Sequence, residues 1–282
     1  MTTDRLTRGA GTHGLLASAL AAAFLAACGG GGGGGGTTAA PAGPATVLNG
    51  VAVDGYLKGA TVFLDLNGNG LQDAGEPSSI TNDSGRYTLN YSGLADSIAG
   101  KMIVVTGGID TDTGYAFGGR LTTRAEQAAS GQVVSPFTTL VDALVAQGLT
   151  IDAARSRLAA ALGLSVADLA TDPLAALANQ PAIYTQQVAL QRSIQLLATA
   201  NTREGDSAYA AQQRIVDALA VAIKSGTGQV SVGALVSQIN ATNTAAGRQL
   251  ADAVHDALEA ALRTPGGHQS AKAVLKAMDQ MR

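Results

Sequence analysis

Tryptophan is absent from this 282-residue chain, aromatic residues make up 4% of it, and cysteine occurs once, at Cys28. The lone cysteine excludes an intrachain disulfide and any thiolate-rich metal site. Histidine is nearly as scarce, with three in all. No His-Glu-x-x-His run, no Gly-x-Ser-x-Gly and no glycine loop ending in Lys-Ser/Thr occurs, so the common zinc, serine-nucleophile and phosphate-binding chemistries lack their residues. Charged residues are 14% of the chain, the net charge is −3 and no basic patch stands out, which argues against nucleic acid as a partner. The apolar run Leu15 to Leu25 is shorter than the about 20 residues a membrane-spanning helix needs.

What the first residues do contain is the order of an export signal. Arg5 and Arg8 precede the short apolar stretch, and small residues follow it. The ending Leu25-Ala26-Ala27-Cys28 resembles the lipobox of bacterial lipoproteins, and that resemblance implies cleavage before Cys28 and lipidation of its sulfur. The competing reading is an ordinary signal peptide with an incidental cysteine. Eight glycines, Gly29 to Gly36, and a Thr/Ala/Pro stretch follow. Such a composition buries no apolar area and reads as a flexible tether over residues 28–45. Loss of residues 1–27 removes Asp4, Arg5 and Arg8 and leaves a mature charge of −4. The residue after the cysteine, Gly29, is not the aspartate that retains some lipoproteins at the inner membrane, so the resemblance implies the outer membrane.

The remaining chain changes composition near residue 135. Residues 46–134 are rich in Gly, Thr, Asp, Asn and β-branched residues. Thr61 to Leu64, Arg86 to Tyr91 and Met102 to Val105 read as strands, and Asn82-Asp83-Ser84-Gly85 reads as a turn. From Ser135-Pro136, an N-cap followed by proline at the first helical position, residues 135–282 follow helical periodicity. Thr150 and Ser165 are further caps, Ser165 with Asp168 as a capping box. Ile183, Leu190, Ile194 and Leu197 line one helix, Ile215, Leu219 and Ile223 a second, and Leu250, Val254, Leu258 and Leu262 a third. The expected architecture is α+β, a small antiparallel β-sandwich followed by an Ala-rich α-helical bundle.

Residues 65–76 carry the one motif with a mechanism. In the twelve-residue calcium loop, oxygens come from positions 1, 3 and 5, a backbone carbonyl from 7, a further group from 9 and a carboxylate from 12. Those positions hold Asp65, Asn67, Asn69, Leu71, Asp73 and Glu76, with Gly70 at the turn. The competing reading is a hairpin turn, because Asn-Gly is itself a hairpin signal. Pro77 disfavours a helix at Glu76, and Thr61 to Leu64 before the loop is a strand, so a helix-loop-helix sensor is not expected. Asp54, Asp110 and Asp112, which flank glycines, read as solvated turn residues rather than as further ligands.

The segment from Val53 to Gly70, with Asp73-Ala74-Gly75-Glu76-Pro77 and Thr81 to Leu89, resembles the SdrD B-type repeats of bacterial surface adhesins and the carboxypeptidase-regulatory-like β-sandwiches. The resemblance spans residues 46–95 in a single copy, where adhesin stalks carry several. It implies a structural calcium ion at Asp65, Asn67, Asn69, Leu71, Asp73 and Glu76, in a binding or stalk module.

Only His255 and His268 follow the leader. His255 lies beside Asp252, Asp256 and Glu259 on what reads as a solvated polar face, and His268 in a Gly-rich exposed stretch. The expectation is a cell-envelope lipoprotein that is not an enzyme, membrane-attached through Cys28, with an extracellular or periplasmic protein or glycan as partner. The alternative is a periplasm-facing enzyme or enzyme accessory whose carboxylates are assembled only by the fold.

Overall fold

The computed structural model describes residues 46–94, 97–126, 130–207 and 209–280. The leader, Cys28 and the glycine tract lie outside the described residues. The chain is α+β, an antiparallel β-sandwich followed by an alanine-rich helical bundle.

The β half contains β1 (Val47–Ala52), β2 (Leu57–Lys58), β3 (Thr61–Asp65), β4 (Ser78–Ile80), β5 (Arg86–Asn90), β6 (Met102–Thr106), β7 (Ile109–Asp110), β8 (Arg120–Arg124) and β9 (Ser130–Val134). One sheet has the order β5-β1-β9, the facing sheet β4-β3-β6-β8, and β2 pairs with β7 beside them. All pairings are antiparallel except β1 with β9, which run parallel. The side-chain period of two places Leu48, Tyr87 and Leu89 of the first sheet against Val62, Leu64, Ile103, Val105 and Leu121 of the second. This is the core of the β half.

The next row, Phe63, Val104 and Thr122, points to the other face of the second sheet and is buried as well. Helices cover that face. The first of them, α1 (Pro136–Ala146), is docked on β8 by polar bonds. Thr122 donates its backbone N–H to Thr139 Oγ1 at 2.9 Å and its hydroxyl to Asp142 at 3.0 Å, and Arg124 pairs with the same Asp142.

The bundle continues with α2 (Ile151–Leu162), α3 (Pro181–Ala200), α4 (Ala210–Ser225), the short α5 (Val232–Val236), α6 (Thr244–Leu262) and α7 (Gly267–Gln280). Ser135 caps α1 in a reciprocal box with Thr138, and Thr150 caps α2 through the Ala153 N–H. The Ser165 and Asp168 box also forms, with bonds of 2.8 and 3.2 Å, yet opens only one 3₁₀ turn, Asp168–Ala170. Pro173 explains the stop, since the residue before a proline is pushed out of the helical region. The predicted stripes Ile183/Leu190/Ile194/Leu197, Ile215/Leu219/Ile223 and Val254/Leu258 meet in one apolar cluster with Phe137, Leu140 and Leu158. Each half therefore has its own core, and residues 43–282 form one compact unit. No described helix is long and apolar enough to cross a membrane.

Candidate metal centre

The loop 65–76 leaves β3 at Asp65 and returns to β4 after Pro77. Asp65 is 1% exposed, and its two carboxylate oxygens accept the Gly68 and Gly70 N–H groups at 2.7 Å each. Asn67 Oδ1 accepts from Asn69 N–H at 3.0 Å, and Asn69 Oδ1 from Leu71 N–H at 2.7 Å. These are Asx turns, in which a side-chain oxygen two residues back closes the local backbone. Gly70 stands at φ 74°, in the left-handed region that permits this reversal without strain. The far end of the loop folds back over the near end: Glu76 accepts from Leu66 N–H at 2.8 Å and from Asp73 N–H at 3.0 Å. The amides of Asn67 and Asn69 both donate to Asp73 Oδ2, at 2.8 and 2.6 Å.

The fold thus gathers Asp65, Asn67, Asn69, Asp73 and Glu76 into one hydrogen-bonded ring, with the backbone of Leu71 on its edge and the Leu71 side chain in solvent. All the donors are hard oxygens, the type calcium prefers. Each carboxylate or carbonyl oxygen that accepts one N–H keeps a second lone pair. The ring is arranged around its own hydrogen bonds, and among the described residues no group of three His, Cys, Asp or Glu converges as a metal centre. Filling the loop requires the Asn67 and Asn69 oxygens and the Glu76 carboxylate to turn inward. Two cations border it. Lys101 donates to Leu66 O at 2.8 Å, and Arg120 Nη1 to Gly70 O at 3.3 Å. Arg120 reaches further, from Nη2 to Gln213 on α4 at 2.9 Å, while its backbone exchanges two hydrogen bonds with the Gln212 amide.

A second polar assembly was not foreseen. Asp54, Asp110 and Asp112 are not solvated turn residues but buried ones, set in the seam between the two halves. Gly55 makes this possible, because a Cβ there would lie 2.1 Å from Asp110 Oδ1. Asp110 accepts from Asp112 N–H at 2.8 Å and from the Thr113 hydroxyl at 3.0 Å, with Arg192 of α3 at 3.6 Å. Burial raises its carboxyl above the ordinary range. Asp112 accepts from the Tyr184 hydroxyl at 2.5 Å and faces Lys272 Nζ at 3.1 Å. Burial on its own would raise Asp112 too, but the close contacts with His268 and Tyr184 and the Lys272 charge outweigh it and hold the carboxyl low. The phenol of Tyr184 is pushed up by burial and by the Asp112 charge. Nearby, burial and Asp172 raise Tyr56 to about 12, its hydroxyl bonded to Asp172 at 3.1 Å.

His268 likewise departs from the exposed loop expected for it: it sits at the start of α7, with Nε2 3.4 Å from Asp112 Oδ1, longer than a good hydrogen bond. His255 stays on a half-open face of α6 near Asp256 and Glu259. The sequence carried one overlooked signal for the seam. Gln187, Gln191 and Arg192 interrupt the apolar stripes of α3, and polar residues on a core face announce buried polar partners.

The chain matches no family model, no curated protein and no solved structure with which it was compared.

Proposed function

We propose that the chain is a lipid-anchored protein of the cell envelope, held at the outer membrane, whose β half is a calcium-braced binding or structural module. Residues 1–27 direct export, Cys28 carries the lipid and residues 28–45 give the body reach. More than one acyl chain makes such attachment stable, since each buried methylene contributes about 0.8 kcal/mol.

The calcium reading is carried by one observation: the oxygens of all five side-chain positions lie on a single closed turn between two strands, with Asp65 clamped at one end by Gly68 and Gly70 and Glu76 reaching back from the other. Calcium bound there would supply a divalent charge to which the carboxylates of Asp65, Asp73 and Glu76 could turn. The residues around the loop hold shape and transfer no proton. The loop fixes the β3–β4 junction, and Arg120 ties its Gly70 carbonyl to α4. With asparagines at two ligand positions and Lys101 and Arg120 alongside, affinity falls in the weak class of extracellular sites, about 10⁻⁴ to 10⁻³ M. Such a site fills outside the cytoplasm, where calcium is plentiful.

A calorimetric calcium titration of the purified protein tests the loop. Saturable heat in that range with a rise in melting temperature, both lost in Asp65→Ala and Glu76→Ala, is the expected result. The absence of heat and of any thermal shift in the wild type would reduce the loop to a turn. Metabolic labelling with a palmitate analogue tests the anchor: label is expected on the wild type and none on Cys28→Ser.

A further inference from the structure

We infer that a cleft between the β half and the bundle binds a neutral, hydroxyl-rich small molecule, a saccharide of one or two units. The cleft has a volume of about 450 Å³, within the range of about 300–1,000 Å³ typical of small-molecule sites. Asp54 and Asp110 line it from the β side, Arg192 and Gln195 from α3 and Gln212 from α4, with Tyr115 at the rim.

Three features of this lining point to the ligand class. The first is cost. Asp54, Asp110 and Arg192 are all buried, and a buried ion pair is often no more stabilising than an apolar replacement of the same volume. Stability therefore does not account for placing these groups around a cavity.

The second is the mixture of signs. Two carboxyl groups disfavour an anion, and the Arg192 guanidinium, 3.6 Å from Asp110, disfavours a cation. A hydroxyl suits both at once, because it donates to a carboxylate and accepts from a guanidinium or amide without bringing net charge. On the same wall the Gln195 amide adds a neutral donor, and the hydroxyl oxygens of Thr199 and Thr202, whose protons go to Gln195 O and Ala198 O, add acceptors, while Gln212 is held by the Arg120 backbone and only shapes the wall.

The third is the ring. In a chain without tryptophan, Tyr115 is left 42% exposed at the mouth of a polar cleft. Its backbone is held by bonds from Asp110 N–H to Tyr115 O at 3.0 Å and from Tyr115 N–H to Thr113 Oγ1 at 3.2 Å. A fixed aromatic face beside hydrogen-bonding groups offers an apolar platform for the C–H side of a sugar ring while its hydroxyls face the cleft. This inference stands apart from the calcium loop, and the cleft would bind with the loop empty or full.

The test is calorimetric titration of the purified protein with glucose, galactose, N-acetylglucosamine, cellobiose and chitobiose, and with inorganic phosphate and putrescine as anionic and cationic probes. Saturable binding of at least one saccharide is expected, weakened roughly tenfold or more by Tyr115→Ala. Gly118→Trp supplies a second variant. Gly118 lines the cleft and a Cβ there meets nothing within 4 Å, so a larger side chain can start from this position without a backbone clash. That variant is expected to abolish binding with an unchanged melting temperature. Phosphate or putrescine binding without saccharide binding overturns the inference. So does silence from every probe, or saccharide binding that neither variant affects.

Discussion

At Asp112 a carboxylate with a side chain 1% exposed meets a phenol, an imidazole and an ammonium from two helices that follow it by more than seventy residues. Its charge is what those donors are arranged around, so its loss has a calculable sign. A carboxyl held below its ordinary 3.8 contributes stability that is present above the unfolded value and is lost as pH falls through the folded one. Asp110, raised by burial, works the other way: its contribution is present at low pH and is lost as pH rises through its folded value. Asp112→Asn is expected to lower stability at pH 7 by about 1–2 kcal/mol, less than the 3–5 kcal/mol of a fully sealed pair because Lys272 is partly exposed and can turn to water. The same variant should flatten the acid limb of the melting temperature as pH falls below the ordinary carboxylate value, which a thermal series taken downward from neutral pH measures. None of this was legible at single positions. Asp54, Asp110 and Asp112 stand among glycines as turn acids do, and only the helix that later packs over them takes away their water.

At the level of elements, strand and cap chemistry was readable and long-range polar placement was not. Ser135 with Pro136 announced α1, because a side-chain acceptor and a proline without N–H are what a helix start requires. Ser135→Ala is expected to cost about 1 kcal/mol, seen as a lower midpoint in urea at unchanged slope. The Ser165 box was readable as a local structure, and the segment that it opens is one short 3₁₀ turn because Pro173 follows. Helix α7 was hidden behind Gly266 and Gly267, which resemble a loop in any local window. The glutamines of α3 carry a further expectation. Gln191 is 1% exposed, and neither end of its amide has a partner within the described residues. An unsatisfied buried amide costs about 1–3 kcal/mol, so Gln191→Leu, close in volume, should raise the melting temperature. A fall would mean that the amide is satisfied by solvent inside the bundle. The loop from Asp65 to Glu76 was legible as a pattern of oxygens, while its link through Arg120 to α4 spans 93 residues and has no local trace.

For the molecule as a whole, two apolar cores meet across a polar seam rather than merging. The seam is held by Arg120 with Gln212 and Gln213, by Asp112 with Tyr184 and Lys272, and by Thr122 with Asp142. With these contacts intact, calorimetry is expected to show one unfolding transition for residues 43–282. Removing two of the ties together, as in Arg120→Ala with Asp112→Ala, should split it into two, one for each core. A single transition in the double variant would mean that the apolar contact of α1 on β8 is enough to couple the halves.

The place of β1 bears on how the body carries load. It is the middle strand of its sheet, paired over Val47 to Val51 with β5 and over Asn49 to Ala52 with β9, and it is the strand that residue 46 leads into. Tension arriving from the N-terminal side runs along the strand, so its ladders on both edges are strained together in shear instead of parting one rung at a time. If the body is tethered as proposed, drag on it falls on the part of the β half whose bonds share force most evenly.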